Sequence, residues 1–274
     1  MVFKVFLLAL LPLLPCARAN AGELPLLVHP FWGLSPSTAP VSQTLPGIRS
    51  GENLEYDIYW GAVKVGSSFI RVEHTVTISS RPVWHIVSEA RSGSFIANFY
   101  HVDDRNEAWM DAGDLSSYGY YKKISEGNHF FNEWVVFDAR AGKFYGSKMN
   151  RKRQVSDFEG PLEKPVNDVL SAIYRLRAMS LEPGSRLEMD LNTKRNWRMS
   201  VKVGKREKIS TAYGRKNCVL LEPMLGEEGL FVAKAGKRML VWITDDELKL
   251  PMVLKAEIFI GSVTAKLVRR TVTP

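Results

Sequence analysis

Apolar and polar residues alternate with a period of two over long parts of this chain. The pattern is clearest in residues 53–60, 197–203 and 252–260. Successive side chains of a β-strand point to opposite faces of a sheet, so this alternation is typical of strands that bury one face. Turn sequences such as Ser-Ser-Arg-Pro at 79–82 and Glu-Gly-Asn at 126–128 separate the runs. The sequence therefore predicts about a dozen or more antiparallel strands.

One segment follows helical spacing instead. Between residues 166 and 179 the apolar residues recur at intervals of three and four. Asn167 or Asp168 can cap the start, Arg177 suits the C-terminal end of the helix dipole, and Pro183-Gly184 stops the segment. We predict one amphipathic helix at about 166–179, which covers the mouth or open side of a curled sheet. The predicted fold is thus mainly β, a large antiparallel β-barrel, spiral or partly open, with this single helix.

The N-terminus has the pattern of an export signal. Residues 1–21 combine an early Lys4, an apolar run and a set of small residues. We predict cleavage after Ala19 or Ala21 and a periplasmic location. The apolar run is shorter than the ~20 residues that span a bilayer, so an integral membrane protein is not expected.

Composition predicts where the leader ends and the folded domain begins. Residues 22–50 are rich in proline and poor in charge, which predicts an extended leader. No break in composition divides residues 51–271, so we predict a single β-barrel-like domain there.

Cysteine usage excludes an internal disulfide bond in the mature chain. Once the signal peptide is removed, Cys218 is the only cysteine. It lies in an apolar, strand-like run, where a buried and unreactive thiol is expected. Cys16 lies in the signal peptide, and Pro15 directly before it spoils the match to a lipidation box.

The charge balance points to anionic partners in the envelope. Loss of Lys4 and Arg18 with the signal peptide, which holds no acid, takes the formal charge from +8 to +6. A basic exported protein meets anionic lipid headgroups and cell-wall polymers. The basic clusters, for example 122–123 and 151–153, are short and lack the interleaved aromatic residues of a nucleic-acid platform. No nucleic-acid partner is expected.

The sequence holds no local motif for a metal, a cofactor or nucleophilic catalysis. Its five histidines form no His-x-His or His-Glu-x-x-His pair, and Gly-x-Ser-x-Gly and glycine-rich phosphate loops are missing. The catalytic alternative rests on Glu55 and Asp57, which share one face of a strand with backbones ~7 Å apart, near the spacing of paired acids in glycosidases. Asp103-Asp104 and Asp245-Asp246 compete as acid pairs, although the latter are mainly turn formers.

Aromatic residues recur at alternating strand positions. They can fill a large core, but a barrel of more than about eight strands is too wide for its side chains to fill. Some would then line a cavity suited to a lipid tail or a sugar ring. The residues that we predict to bind such a ligand are Tyr56, Trp60, Asp103, Asp168, Tyr174, Arg177 and Trp242.

Three phrases of the chain resemble a bacterial family. They are Gly-Glu-Asn-Leu-Glu-Tyr-Asp-Ile-Tyr-Trp-Gly at 51–61, Asn-Asp-Val-Leu-Ser-Ala-Ile-Tyr-Arg-Leu-Arg at 167–177 and Trp-Ile-Thr-Asp-Asp at 242–246, with Gly-Ser-Val at 261–263 near the end. They resemble the domain of unknown function 3108 over roughly residues 50–270. The resemblance implies an exported, β-rich envelope protein of Gram-negative bacteria and supplies no catalytic residues. In outline the chain is also similar to periplasmic spiral-barrel proteins associated with envelope integrity.

Three functional hypotheses remain open. The leading one is a non-catalytic periplasmic protein that binds a lipid-like or glycan component of the cell envelope and supports envelope integrity. The alternative is a periplasmic glycan hydrolase that uses a carboxylate pair such as Glu55 and Asp57. The third is a structural or assembly factor that docks another envelope protein, with Arg175 and Arg177 of the helix in the contact.

Overall fold

The chain folds into one antiparallel β-sheet. The computed structural model describes residues 27–37, 48–224, 238–258 and 261–273. Within these residues there are fourteen strands and two helices. The strands are β1 (Glu52–Trp60), β2 (Val63–Ile78), β3 (Arg81–Ser92), β4 (Asp103–Asp111), β5 (Ser117–Glu126), β6 (His129–Asp138), β7 (Lys143–Asn150), β8 (Val155–Pro161), β9 (Arg186–Asn192), β10 (Asn196–Thr211), β11 (Gly214–Met224), β12 (Met239–Thr244), β13 (Pro251–Glu257) and β14 (Ser262–Val272). The helices are α1 (Ser94–Ala97) and α2 (Val169–Ala178).

The strands lie in the sheet almost in chain order. Each strand from β1 to β8 pairs with the next, the same holds from β9 to β14, and β1 pairs with β14 to join the two halves. In the described part of the chain β8 and β9 form the two edges and do not pair, so the barrel-like sheet is not closed. These observations confirm the predicted fold: mainly β, partly open, and built from more than a dozen antiparallel strands.

Alternate connections of this meander lie at opposite ends of the sheet. One end carries the β2–β3, β4–β5 and β6–β7 turns and the long β8–β9 connection that contains α2. We call it the helix end. The other end carries the β1–β2, β5–β6 and β7–β8 turns and the β3–β4 connection that contains α1. We call it the rim end.

Helix α2 begins with a complete capping box. The Asp168 carboxylate accepts hydrogen bonds from the backbone N–H groups of Leu170 (2.7 Å) and Ser171 (3.2 Å), and the Asp168 N–H donates to the Ser171 hydroxyl (3.0 Å). The Ser117 hydroxyl donates to the second carboxylate oxygen of Asp168 (2.7 Å). The helix lies inside the predicted range, and none of its residues is exposed. It is therefore embedded in the helix end of the sheet.

Several contacts bridge the gap between the edge strands, among them a hydrogen bond from the Asn196 amide to the carbonyl of Pro161 at the end of β8 (2.7 Å). Asn167, just before α2, forms an isolated parallel bridge with Leu191 of β9. Lys194, in the β9–β10 turn, reaches across the gap to Glu133 of β6, with 3.3 Å between nitrogen and carboxylate oxygen. The edges are thus held near each other without a shared ladder of backbone hydrogen bonds.

One hydrophobic core joins both halves of the sheet to the helix. It includes Leu170 and Leu176 of α2 together with Val72 of β2 and Val219 of β11. Because β1 pairs with β14, side chains from the first and last strands enter the same interior. The core is therefore built from segments that are far apart in the chain.

Residues 27–37 lie against the outer face of the sheet. Phe31 and Trp32 pack on a smaller cluster that includes Trp109 of β4 and Tyr121 of β5. The predicted extended leader at 22–50 thus contributes a docked segment, which the sequence did not predict. The predicted signal peptide at 1–21, its cleavage position and Cys16 lie outside the described residues.

Candidate functional site

Large apolar side chains are exposed together at the rim end of the sheet. Trp60 is 44% exposed, Val63 61%, Phe95 72% and Phe99 71%. We call these four residues the aromatic rim. The rings of Phe95 and Phe99 meet edge to face with centroids 5.5 Å apart. An exposed apolar patch of this kind on a folded domain is typical of an interaction surface.

Two neighbouring connections supply the aromatic rim. The β1–β2 turn contains Gly61 with a φ of +56°, a left-handed conformation that favours glycine. The N–H of Gly93, at the start of α1, donates to the carbonyl of Val65 in β2 (2.9 Å). This bond places α1 beside the beginning of β2, so the two connections form one continuous edge.

The short helix α1 has one side chain packed against the core and another exposed to solvent. The Ala97 N–H donates to the Gly93 carbonyl (2.8 Å), which closes a single helical turn. Ile96 points inward and packs against the main core. Phe95 of α1 and Phe99, two residues after its end, are exposed to solvent.

Cations lie close to the aromatic rim. The side chain of Lys64 is 55% exposed and pairs with Asp57 at 2.7 Å, a hydrogen bond that raises the pKa of the lysine. Arg91 is 65% exposed and pairs with Asp103 at 3.2 Å. The β7–β8 turn at the same end presents the exposed run 151–153, Arg-Lys-Arg, which no acid interrupts. Rings and basic groups on one surface suit an anionic lipid interface.

Trp60 is exposed although it shares its alternation with three buried side chains. The sequence places it on one face with Leu54, Tyr56 and Ile58, and those three side chains are buried whereas Trp60 is exposed. The pairing of β1 with β2 shifts register between Ile58 and Tyr59. The extra residue, Val65, belongs to β2, so β1 keeps its alternation and Trp60 is exposed because it ends the strand at the rim end.

Three predicted ligand-binding residues meet in a closed cluster at the helix end. Arg177 donates from Nη1 to Oε2 of Glu52 (2.6 Å) and from Nη2 to Oε1 (3.1 Å), and both side chains are 0% exposed. The guanidinium lies 5.0 Å from the centre of the Tyr174 ring. The Tyr56 hydroxyl donates to the carbonyl of Pro251 (3.0 Å). Burial and then the nearby Glu52 raise the pKa of Tyr174.

Further hydrogen bonds give this cluster a structural role. Arg270 of β14 donates from Nε to Glu52 (2.9 Å), and Arg177 donates twice to the carbonyl of Leu248 (3.3 and 3.1 Å). Glu52 belongs to the first family-like phrase, Arg177 to the helix phrase, and Leu248 follows the third. The phrases that are far apart in sequence thus meet at one buried ion pair, which fixes α2 to β1 and β14.

The remaining predicted ligand-binding residues lie apart from this cluster. Asp168 is engaged as the cap of α2. Asp103 lies on the outer face and pairs with Lys123 at 2.6 Å. Trp242 donates its indole N–H to Glu207 (2.6 Å). The structure therefore brings Tyr56, Tyr174 and Arg177 together and leaves the others at separate positions.

The two carboxylates of the hydrolase hypothesis lie beside an outer groove of about 220 Å³. Glu55 accepts two hydrogen bonds from Arg269 (2.7 and 3.0 Å). Asp57 pairs with Lys64. Each acid is thus paired with its own cation. The two environments are alike, whereas a glycosidase places its proton donor and its base or nucleophile in different environments. Within the described ranges, no group of three or more His, Cys, Asp or Glu side chains is arranged to hold a metal ion.

The structure reveals residues that the sequence analysis did not select. Phe95 and Phe99 carry a weak signal, two phenylalanines one helical turn apart within a connection between strands. Glu52 carries none, because its partner is 125 positions away. His29, in the predicted leader, is buried against Trp109 of the sheet.

Comparison with known proteins identifies the family. The model of the DUF3108 family, described as a protein of unknown function, matches residues 55–268. The chain belongs to the DUF3108 family. No curated protein matches it. Among the described residues, neither helix has the length and hydrophobicity that a bilayer-spanning segment needs.

Solved structures place this DUF3108 protein among barrel-like folds. A beta-barrel-like protein of the DUF1849 domain from Brucella abortus is similar at 12% identity, with a TM-score of 0.52, over 83% of this chain and 100% of that one. A candidate exported protein with a YmcC-like fold from Bacteroides fragilis matches at 8% identity and a TM-score of 0.36, over 81% and 96% of the two chains. A candidate lipoprotein from Parabacteroides distasonis matches at 10% identity and a TM-score of 0.36, over 83% and 97%.

Proposed function

We propose that this DUF3108 protein is a non-catalytic periplasmic envelope protein that binds an anionic lipid surface through its aromatic rim. The observation that carries the proposal is the exposure of Trp60, Val63, Phe95 and Phe99 on adjoining connections at one end of the sheet. The export signal in residues 1–21 supports the compartment.

The chemistry of the surface favours lipid among the envelope components. Aromatic rings enter the boundary between headgroups and acyl chains, while lysine and arginine pair with the phosphates outside it. The rim end offers both, with Lys64 and Arg91 on the strands that carry the rings and the run 151–153 in another turn at the same end. A sugar site would instead be a concave pocket with converging polar groups.

The location of the closed cluster supports surface binding over binding inside the barrel. The sequence predicts that Tyr56, Tyr174 and Arg177 bind a ligand. In the structure Arg177 pairs with Glu52 and lies over the Tyr174 ring, and Tyr56 donates to the carbonyl of Pro251. Helix α2 occupies the helix end. The proposal therefore places the lipid contact at the opposite end, on side chains that the fold leaves exposed.

Changing both rim phenylalanines should weaken lipid binding. We expect Phe95→Ser with Phe99→Ser to lower partitioning of the mature protein onto vesicles about tenfold or more, because burying each ring contributes ~1.5–3 kcal/mol. The measurement is co-sedimentation with vesicles of phosphatidylglycerol and phosphatidylcholine at a 3:7 ratio, repeated with phosphatidylcholine alone.

The matched control removes exposed apolar side chains elsewhere. Val28→Ser with Val272→Ser changes two exposed valines, 73% and 40% exposed, outside the rim. This variant should bind vesicles like the wild type. Equal binding of the rim variant and the wild type would disprove the lipid proposal, as would wild-type protein that stays in the supernatant with both lipid mixtures.

A further inference from the structure

An aromatic groove on the outer face of the sheet already holds a peptide segment. We call residues 27–37 the strap and the surface beneath it the strap groove, formed by Val76, Val83, His85, Glu107, Trp109, Tyr121 and Trp134. The strap enters with the Leu27 N–H donating to Asn132 (2.5 Å) and leaves with the Ser37 N–H donating to the carbonyl of Thr75 (2.7 Å). It therefore crosses strands β2 to β6.

His29 is the anchor of the strap. It is 1% exposed, and its ring stacks on Trp109 with centroids 4.1 Å apart and planes 18° apart. Nδ1 of His29 accepts a hydrogen bond from the Phe31 N–H (3.0 Å), and Nε2 lies 3.4 Å from the carbonyl of Val135, to which it donates. One acceptor and one donor nitrogen describe a neutral imidazole, because a protonated ring carries two donors.

The rest of the strap is less buried than His29. Among its eleven residues only His29 is fully buried, and Val28 and Leu34 are exposed. Trp32 is half-buried and donates its indole N–H to Glu107 (3.1 Å). Ordering a backbone costs ~1–2 kcal/mol per residue, and over eleven residues this offsets much of the free energy that these partly exposed contacts contribute.

Side chains of the groove are also held in place by contacts with one another. His85 stacks on Trp109 with centroids 5.0 Å apart, and its Nε2 lies 2.7 Å from Glu107. Arg105 donates to the other oxygen of Glu107 (2.7 Å). Burial alone would raise the pKa of Glu107, but the hydrogen bonds from His85 and Arg105 and their charges hold it at about 2. The groove thus offers a fixed carboxylate for an indole or imidazole N–H beside an aromatic platform.

We propose that the strap groove is a peptide-binding site and that residues 27–37 are its exchangeable ligand, held only while His29 is neutral. The class of ligand is a short segment without charged side chains that carries an imidazole and an indole three residues apart, with a turn between them like the one at residues 30–33 of the strap. Neither the aromatic rim nor lipid binding enters this inference.

Protonation of His29 should release the strap. The ionisable groups that face it are Glu107 from β4, which favours the charged ring, and His85 from β3, which opposes it; β5 and β6 contribute backbone carbonyls. Burial dominates and lowers the pKa of His29 from its ordinary 6.5 to about 4. A free segment therefore takes up a proton at a pH where the docked one does not, so docking weakens as the pH falls from about 6.5 to 4, by up to about two orders of magnitude.

The test uses the full mature chain with substitutions that weaken the binding of its own strap to the groove. The variant His29→Ala with Trp32→Ala should leave the groove vacant, and a fluorescein-labelled peptide of residues 27–37 should bind it at least about tenfold more tightly than it binds the wild type at pH 7.5, as read by anisotropy. A protein variant with Val28→Ala and Leu34→Ala, which changes exposed strap positions, should behave like the wild type.

Two outcomes would overturn the proposal. One is equal affinity of the peptide for wild type and the vacant-groove variant, which would place its binding elsewhere. The other is no binding to a variant whose circular dichroism is native. For the pH step, the peptide should lose affinity between pH 6.5 and 4, whereas a peptide with His29→Phe should bind independently of pH. A loss that persists with the phenylalanine peptide would assign the titration to the groove and refute the role of His29.

Discussion

Replacing Arg177 with methionine should lower the free energy of unfolding by about 3–5 kcal/mol, measured by urea denaturation at pH 7. The guanidinium and Glu52 are fully buried and joined by two hydrogen bonds. Methionine fills much of the same volume but leaves Glu52 buried with Arg270 as its remaining cation. A buried carboxylate that loses a partner bears the cost of desolvation without the compensating charge.

A double-mutant cycle separates the pair from its surroundings. Glu52→Gln should cost a similar amount, and the double variant should be less destabilised than the sum of the two single changes, because neither charge is then left alone. As a control, Arg198→Met breaks the exposed pair with Glu188 at 2.9 Å and should leave stability unchanged within error. A change as small for Arg177→Met would refute the structural role of the buried ion pair.

Local signals in the sequence predict most of the fold. Alternation identifies the strands because burial of one sheet face depends only on neighbouring residues, and Asp168 identifies the start of α2 because the cap is bonded within one turn. The pairing of Glu52 with Val272 has no such signal. It joins the two ends of the domain, and only tertiary packing decides it.

The same division explains the outcome for the candidate site. Arg177 near the end of a predicted helix is accounted for by the helix dipole, so nothing nearby in sequence indicates that it is buried against Glu52. The exposure of Phe95 depends on Ile96 being the residue that enters the core. The position of His29 depends on a segment that composition alone presents as a leader. Each is a long-range property, and a single sequence contains no measure of it.

Asp104→Asn should stabilise the protein at neutral pH, by up to about 3 kcal/mol at pH 7.5. Burial raises the pKa of Asp104 to about 6, against hydrogen bonds from Glu126 and from the Ser125 N–H. The native state thus holds the proton more tightly than the unfolded chain, whose pKa is about 3.9. Stability from this group is complete below pH 3.9 and is lost as the pH rises through 6.

The amide replaces the carboxyl without needing that proton. The Asp104 Oδ1 accepts from Ser125 N–H (2.9 Å), while Oδ2 has no donor among the described residues unless a proton is shared with Glu126. Asparagine retains the acceptor and places an N–H beside Glu126 at every pH. Urea denaturation from pH 4 to 8 should therefore show the two proteins diverging between about pH 4 and 6, with the variant more stable by a nearly constant amount above about pH 7.

The adjacent residue is a control of opposite sign. Asp103 lies on the outer face, where partial burial raises its pKa but hydrogen bonds from Lys123 and Arg91 lower it further, for a net decrease. Its stabilising contribution is present above the unfolded pKa and is lost as the pH falls, so Asp103→Asn should destabilise the protein at neutral pH and have little effect in acid. If Asp104→Asn followed the same course as Asp103→Asn, Asp104 would be ionised and paired in the folded state. The neighbouring carboxyls lie on opposite faces of the sheet, so opposite pH profiles would measure directly what the burial and the partners on each face do to a charge.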